Sequence, residues 1–105
     1  MAKHILRVAP KDAKVIFEND LVRVIEITMK KGKTIPMHSH NKGISYSLNA
    51  GRIRSTNQSG KSRVLDVVKG DLSWSDVDGL ETHEVENLGG TLRELCVEFK
   101  GKTSG

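Results

Sequence analysis

The chain is poor in the residues that most often betray a mechanism. Of its 105 residues one is cysteine, two are proline and four are aromatic, namely Phe17, Tyr46, Trp74 and Phe99. A single cysteine excludes an internal disulfide, and Cys96 in "LRELCVEF" has no activating pattern around it, so it reads as a small packed side chain. So few aromatics leave little on which nucleic-acid bases could stack. No apolar run exceeds three residues, far short of the roughly 20 that a membrane-spanning helix needs. The N-terminal stretch "MAKHILRVAPKDAK" carries charges where a secretory leader keeps an apolar centre, which predicts a cytoplasmic protein. A last absence is local: the ten residues after His40 contain no acid.

Seventeen Lys and Arg stand against thirteen Asp and Glu, a net charge of +4. The basic residues are spread along the chain, from Lys30, Lys31 and Lys33 through Arg52, Arg54, Lys61 and Arg63 to Lys100 and Lys102. That spread describes solvated turns and strand edges guarded by lysine, and argues against a nucleic-acid surface. Length and composition fit one soluble domain over residues 1–105, with "GKTSG" at 101–105 as a loose tail.

Short segments rich in Val, Ile and Leu recur along the chain: "KVIFE", "LVRVIEITM", "ISYSL", "GRIRST", "RVLDVV", "LSWS", "HEVEN" and "TLRELCVEF". Turn-forming sequences containing Gly, Asn or Asp separate them, among them "KKGK", "LNAG", "NQSGK" and "NLGG". This spacing predicts an all-β antiparallel sandwich or barrel. Only "APKDAKVIF" offers a helical turn, and its Val15, Ile16 and Phe17 suit a strand equally well.

Against this background "IPMHSHNKGISYSLNAG" stands out, because residues i and i+2 of a strand share a face and His38 and His40 therefore aim at one spot. Alternation carried onward places Ile44, Tyr46 and Leu48 on the same interior face, with Ser45, Ser47 and Asn49 turned outward. A third histidine, His83, follows in "GDLSWSDVDGLETHEVEN", where Glu84 and Glu86 take the opposite parity.

These two stretches carry a resemblance. Residues 32–51 resemble the first motif of the cupin superfamily, a glycine, a His-x-His pair, a glutamate and a closing glycine, with Gly32, His38, His40 and Gly51 at matching positions. Residues 70–87 are similar to its second motif through Gly70, His83 and Asn87, and the likeness extends over roughly residues 21–99. It implies a small single-domain cupin: an antiparallel β-barrel of double-stranded β-helix or jelly-roll type, often dimeric, with metal ligands from both motifs. Carried over, His38, His40 and His83 are the metal ligands. The glutamate of the first motif is missing, and Ile44 or Gly43 stands in its place. In the second motif Asp76 replaces a proline, and Asp76, Asp78 and Glu81 are either substitute carboxylates or solvated loop residues.

Three imidazoles suit Fe, Zn, Ni or Cu better than Mg or Ca, and leave coordination positions open. The resemblance therefore implies a divalent transition-metal cofactor and a non-haem-metal dioxygenase or isomerase acting on a small molecule, with Tyr46 and Trp74 lining its pocket. The other reading is a metal-free small-molecule binder. A homodimer is also expected: "LRELCVEF" places Leu95, Val97 and Phe99 on one face and Leu92 and Cys96 on the other, which leaves an apolar outer face to cover.

Overall fold

The computed structural model of the protein describes residues 3–75 and 82–100. Among these described residues a one-turn helix, α1 (Ile5–Val8), precedes nine strands: β1 (Ala13–Glu18), β2 (Val22–Met29), β3 (Thr34–Ser39), β4 (Gly43–Ser47), β5 (Gly51–Asn57), β6 (Ser62–Val67), β7 (Leu72–Ser75), β8 (Thr82–Gly89) and β9 (Leu92–Phe99). The helical turn falls at Ile5–Val8 and not within "APKDAKVIF". Ile5 is buried there, and Pro10, which has no N–H to continue a helix, stands just past its end. The residues "AKVIFE" form β1 instead.

The strands make two sheets in which every strand pair is antiparallel: a five-stranded sheet ordered β1-β2-β9-β4-β7 and a four-stranded sheet ordered β3-β8-β5-β6. The predicted all-β antiparallel architecture is thus observed. Gly32 and Gly70, the glycines that open the two motifs, have φ of +85° and +88°, a region in which side chains are strained. Their place in the pattern follows from the tight turns that feed β3 and β7.

Ile5, Ile25, Ile27, Met29, Ile35, Leu92 and Cys96 form the buried apolar core. Alternation explains most of this set: in β2 Ile25, Ile27 and Met29 point inward, and in β9 Leu92 and Cys96 do. Burial of such a cluster is the main stabilising term, at about 25 cal/mol per Å² of apolar surface. Asn87, also fully buried, donates its amide to the carbonyls of Met29 and Gly90 at 2.8 and 2.6 Å and accepts the Gly89 N–H at 2.9 Å. It ties β8 to β2 and to the turn before β9.

The alternation expected for β4 is reversed. Gly43 and Ser47 are buried, whereas Tyr46 is 40% exposed, so Gly43, Ser45 and Ser47 face inward and Ile44 and Tyr46 outward. The physical reason lies at residues 40–42. There the chain leaves β3 in one sheet and enters β4 in the other, and parity counted along a strand does not survive a crossing between sheets.

Candidate metal centre

The local sequence "IPMH" prepares the first ligand. Between Ile35 and His38 the β3–β8 register shifts: Ile35 pairs with Val85, but His38 pairs with His83. One extra residue on β3 makes a bulge, and it coincides with Pro36, which cannot donate to a strand ladder. The bulge lets Ile35 and His38, three residues apart, both face the interior, and both are almost completely buried. It also frees the Pro36 carbonyl, which accepts a hydrogen bond from His38 Nδ1 at 2.7 Å. A carbonyl can only accept, so Nδ1 carries the proton and Nε2 presents a lone pair.

His40, just beyond the end of β3, and His83, directly across from His38 on β8, complete the group. His40 Nε2 lies 3.0 Å from His38 Nε2 and 3.1 Å from His83 Nε2. On its far side, His83 Nδ1 is 3.4 Å from the Ser55 hydroxyl of β5. The three rings sit at 4.7 to 5.1 Å between centroids and steeply tilted to one another, an arrangement that turns nitrogens toward a common point and does not stack the faces.

The electrostatics favour neutral imidazoles. Burial, and then the neighbouring histidines, push His40 down to about 3. His38 is pushed down to about 4, chiefly by burial and against the opposing effect of the Pro36 hydrogen bond. Ligand histidines must be unprotonated, so both are in the form a cation requires. The fit to an ion can be tested on the distances: two nitrogens about 2.1 Å from one ion and roughly at right angles stand about 3.0 Å apart. The two distances from His40, 3.0 and 3.1 Å, agree, and ligand atoms of all three histidines lie within 4.8 Å of one another.

Among the described residues the candidate ligand group consists of His38, His40 and His83. The structure thus brings together the three histidines singled out in the sequence. The substitute carboxylates Asp76, Asp78 and Glu81 lie outside the described residues. Of the two residues standing where the motif glutamate is missing, Gly43 faces inward and Ile44 outward, paired with Val97 and Trp74. Gly43 admits no side chain at all, since a Cβ there would lie 1.9 Å from the Val97 carbonyl oxygen.

A carboxylate is nevertheless present, one strand away. Glu98 of β9 pairs directly with Gly43 and is buried beside the same cavity. Its Oε1 accepts from Arg23 Nη2 at 2.8 Å and Nε at 3.2 Å, and its Oε2 from His4 Nε2 at 2.6 Å and the Asn41 N–H at 3.1 Å. Burial alone would raise its pKa, but these donors prevail and hold it down to about 2. The charge of Glu98 in turn opposes the depression of His40. His4 is therefore a fixed element: its Nδ1 accepts the Leu6 N–H at 3.1 Å and caps α1, leaving the Nε2 proton to Glu98. Sequence reasoning passed over Glu98 although the signal was there, because Glu94 and Glu98 share the parity of Leu92 and Cys96.

The histidines open on a cavity of about 290 Å³. Ile27, Met29 and Leu92 give it an apolar side, and Ser45, Ser55 and Arg63 a polar one. Cys96 also borders it, with its thiol pushed up by burial and by the Glu94 carboxylate and so kept protonated. Tyr46 and Trp74, expected to line this pocket, do not. They stand on the outer face of the five-stranded sheet, Tyr46 for the parity reason given above and Trp74 because it pairs with the outward Ile44, 58% exposed and 5.6 Å from the Phe99 ring.

No family model matches the sequence, and no curated protein matches it. Solved structures do. A cupin domain from Bordetella pertussis Tohama I, 19% identical, superposes with a TM-score of 0.75 over 85% of this chain and 92% of that one. A double-stranded β-helix protein from Klebsiella pneumoniae, 16% identical, gives 0.66 over 95% and 90%. The DMSP lyase DddQ from Ruegeria pomeroyi, 19% identical, gives 0.56 over 83% of this chain but 42% of its own. The chain has the small-cupin, double-stranded β-helix fold that its motifs implied.

Proposed function

We propose that the protein is a metal-dependent cupin in which His38, His40 and His83 hold one divalent transition-metal ion and a small oxygen-bearing molecule occupies the adjoining cavity. The approach of His40 Nε2 to the Nε2 atoms of His38 and His83 at 3.0 and 3.1 Å, in a three-histidine group whose ligand atoms lie within 4.8 Å of one another beside a cavity of about 290 Å³, carries this reading. A three-nitrogen donor set suits Fe, Zn, Ni or Cu. When bound, the ion supplies Lewis acidity, polarising an oxygen of the molecule beside it.

The chain supplies the rest. Pro36 orients His38 and fixes its tautomer, and Ser55 adjoins the outer nitrogen of His83, the kind of contact that sets ligand geometry. Ser45, Ser55 and Arg63 offer hydrogen bonds to oxygens of a bound molecule, and the Ile27, Met29 and Leu92 side excludes water from its carbon skeleton. The chemistry open to such a site is that of a dioxygenase-type oxidoreductase or an isomerase. The DMSP lyase among the structural neighbours supports adding elimination to that range.

Elemental analysis of protein reconstituted separately with Fe, Zn, Ni and Cu tests the proposal. One ion per chain is expected for at least one metal, lost in His38→Ala and His83→Ala. Protein that stays metal-free under all four conditions, yet is thermally stabilised by a small organic acid or sugar, would establish the metal-free binder in its place.

A further inference from the structure

Arg63 stands apart from the other strand arginines. On the four-stranded sheet Arg52 and Arg54 turn outward onto Asp66 at 2.8 Å and Glu86 at 2.7 Å, while Ile53 packs on the core and Ser55 meets His83. Ser55 pairs directly with Arg63, and residues opposite one another in an antiparallel pair share a face. Arg63 therefore projects inward, and it borders the cavity beside Ser55 and Leu65. Arg23, Arg52, Arg54 and Arg93 are each held by a carboxylate at 2.7 to 2.9 Å. Among the described residues Arg63 has no such anion.

The charges on the cavity wall are sorted by sheet. Its acids among the described residues, Glu94 and Glu98, lie on β9 of the five-stranded sheet, and Glu98 is already matched by Arg23 and His4. Arg63 lies on the other sheet, at its edge strand β6. It is exposed, and with Ser55 and Lys61 it also borders a second hollow. An arginine so placed stays hydrated before a ligand enters, so the folded chain avoids most of the cost of burying a charge. His83 pairs with Asn57, one inward row from Ser55, on the strand beside β5. Two strand spacings and one such row put the Cα atoms of His83 and Arg63 about 12 Å apart.

We infer that the cavity takes a short-chain oxo- or hydroxycarboxylic acid, its carboxylate gripped by the Arg63 guanidinium and its second oxygen turned to the three histidines. The inference deepens the metal reading and rests on it. A guanidinium presents parallel N–H donors that match the two oxygens of a carboxylate. Its single charge balances one carboxylate, whereas a phosphate group carries nearly two. With both side chains reaching inward, the span from Arg63 to His83 fits a skeleton on the order of three to five carbons. A cavity of about 290 Å³ is likewise at the small end of ligand pockets. Ile53 and Leu65, the inward pair next to Ser55 and Arg63, offer apolar contact to that skeleton.

Calorimetric titration tests it, on protein carrying the metal it retains and on metal-free protein. The probes are 3-hydroxybutanoate, 4-oxopentanoate and 5-oxohexanoate, each against its uncharged primary amide. At least one acid is expected to bind about tenfold or more tightly than its amide. Arg63→Gln should abolish that preference with metal content unchanged, and Arg63→Lys should keep part of it. Arg52→Gln removes the same charge from the outer face and should leave the preference intact. Equal binding of acid and amide, a preference that survives Arg63→Gln, or one that Arg52→Gln also removes overturns the inference. So does failure of all three acids to bind at about 10 mM. Failure of the metal reading shows separately, as protein that retains no ion before any acid is added. The role of Arg63 is then decided by the same comparisons on the metal-free protein.

Discussion

His38 and His40 take up protons far less readily in the folded protein than an ordinary histidine, at about 4 and 3 against 6.5. Below about pH 6.5 the unfolded chain therefore binds protons that the folded chain refuses, and stability falls as pH drops, by about 1.4 kcal/mol per pH unit for each such group. Glu98, held down to about 2 from an ordinary 4.5, adds a second loss as pH falls through that interval. Urea midpoints of metal-free protein should decline steadily from pH 7 to pH 4, and His38→Asn with His40→Gln should flatten that part of the curve. A midpoint unchanged between pH 7 and pH 5 contradicts the neutral burial of the pair. Glu98→Gln keeps the shape but leaves Arg23 without its anion, and a loss of about 2–4 kcal/mol is expected from denaturation at pH 7. Gly43→Ala drives a methyl group into the Val97 carbonyl, so soluble folded protein should be lost. Ile44→Glu should fold, yet leave metal affinity unchanged, because its carboxylate points away from the histidines. This last pair separates the two alternatives that the sequence left open for the missing glutamate: neither position can restore it.

Secondary-structure elements set which of these side chains meet. Turn chemistry and alternation in the sequence anticipated most strands, and where a strand stays in one sheet its faces were read correctly, as in β9 with Leu92 and Cys96 against Leu95, Val97 and Phe99. Two devices escaped that reading. The bulge at Pro36 turns His38 inward by adding one residue to β3, and the crossing from β3 to β4 resets parity, which puts Tyr46 on the outer face, with Trp74 of β7 beside it through its pairing with Ile44. Proline within a strand was the available hint for the first; nothing local marks the second. Asn87 joins β8 to β2 and to the turn before β9 by three hydrogen bonds. Removing its side chain orphans buried backbone groups at about 1–3 kcal/mol each. Asn87→Ala should therefore lower the urea midpoint by the equivalent of several kcal/mol; a change below about 1 kcal/mol would show that these groups find other partners.

For the whole molecule, the metal reading predicts linkage between binding and folding. An ion held by the folded chain alone at a hundredfold excess over its Kd adds about 2.7 kcal/mol, which for a domain of this size corresponds to a rise in Tm on the order of 10 °C. Scanning calorimetry with and without the bound metal, and after chelation, reads this directly; His40→Ala should abolish the difference. Among the described residues no helix is long and apolar enough to cross a membrane, in accord with the short apolar runs. What the sequence determined by itself was local: an all-β chain, the positions of its turns, three histidines on strands or at their ends, and the lack of an acid near the first pair. These follow from steric and hydrogen-bonding preferences over a few residues. The tertiary structure decided that His83 lies opposite His38, that Glu98 and His4 buttress the site across a gap of 94 residues, and that Arg63 shares a cavity with the histidines. Each of these depends on which distant strands become neighbours, and that is settled by non-local pairing and the packing of one sheet on the other.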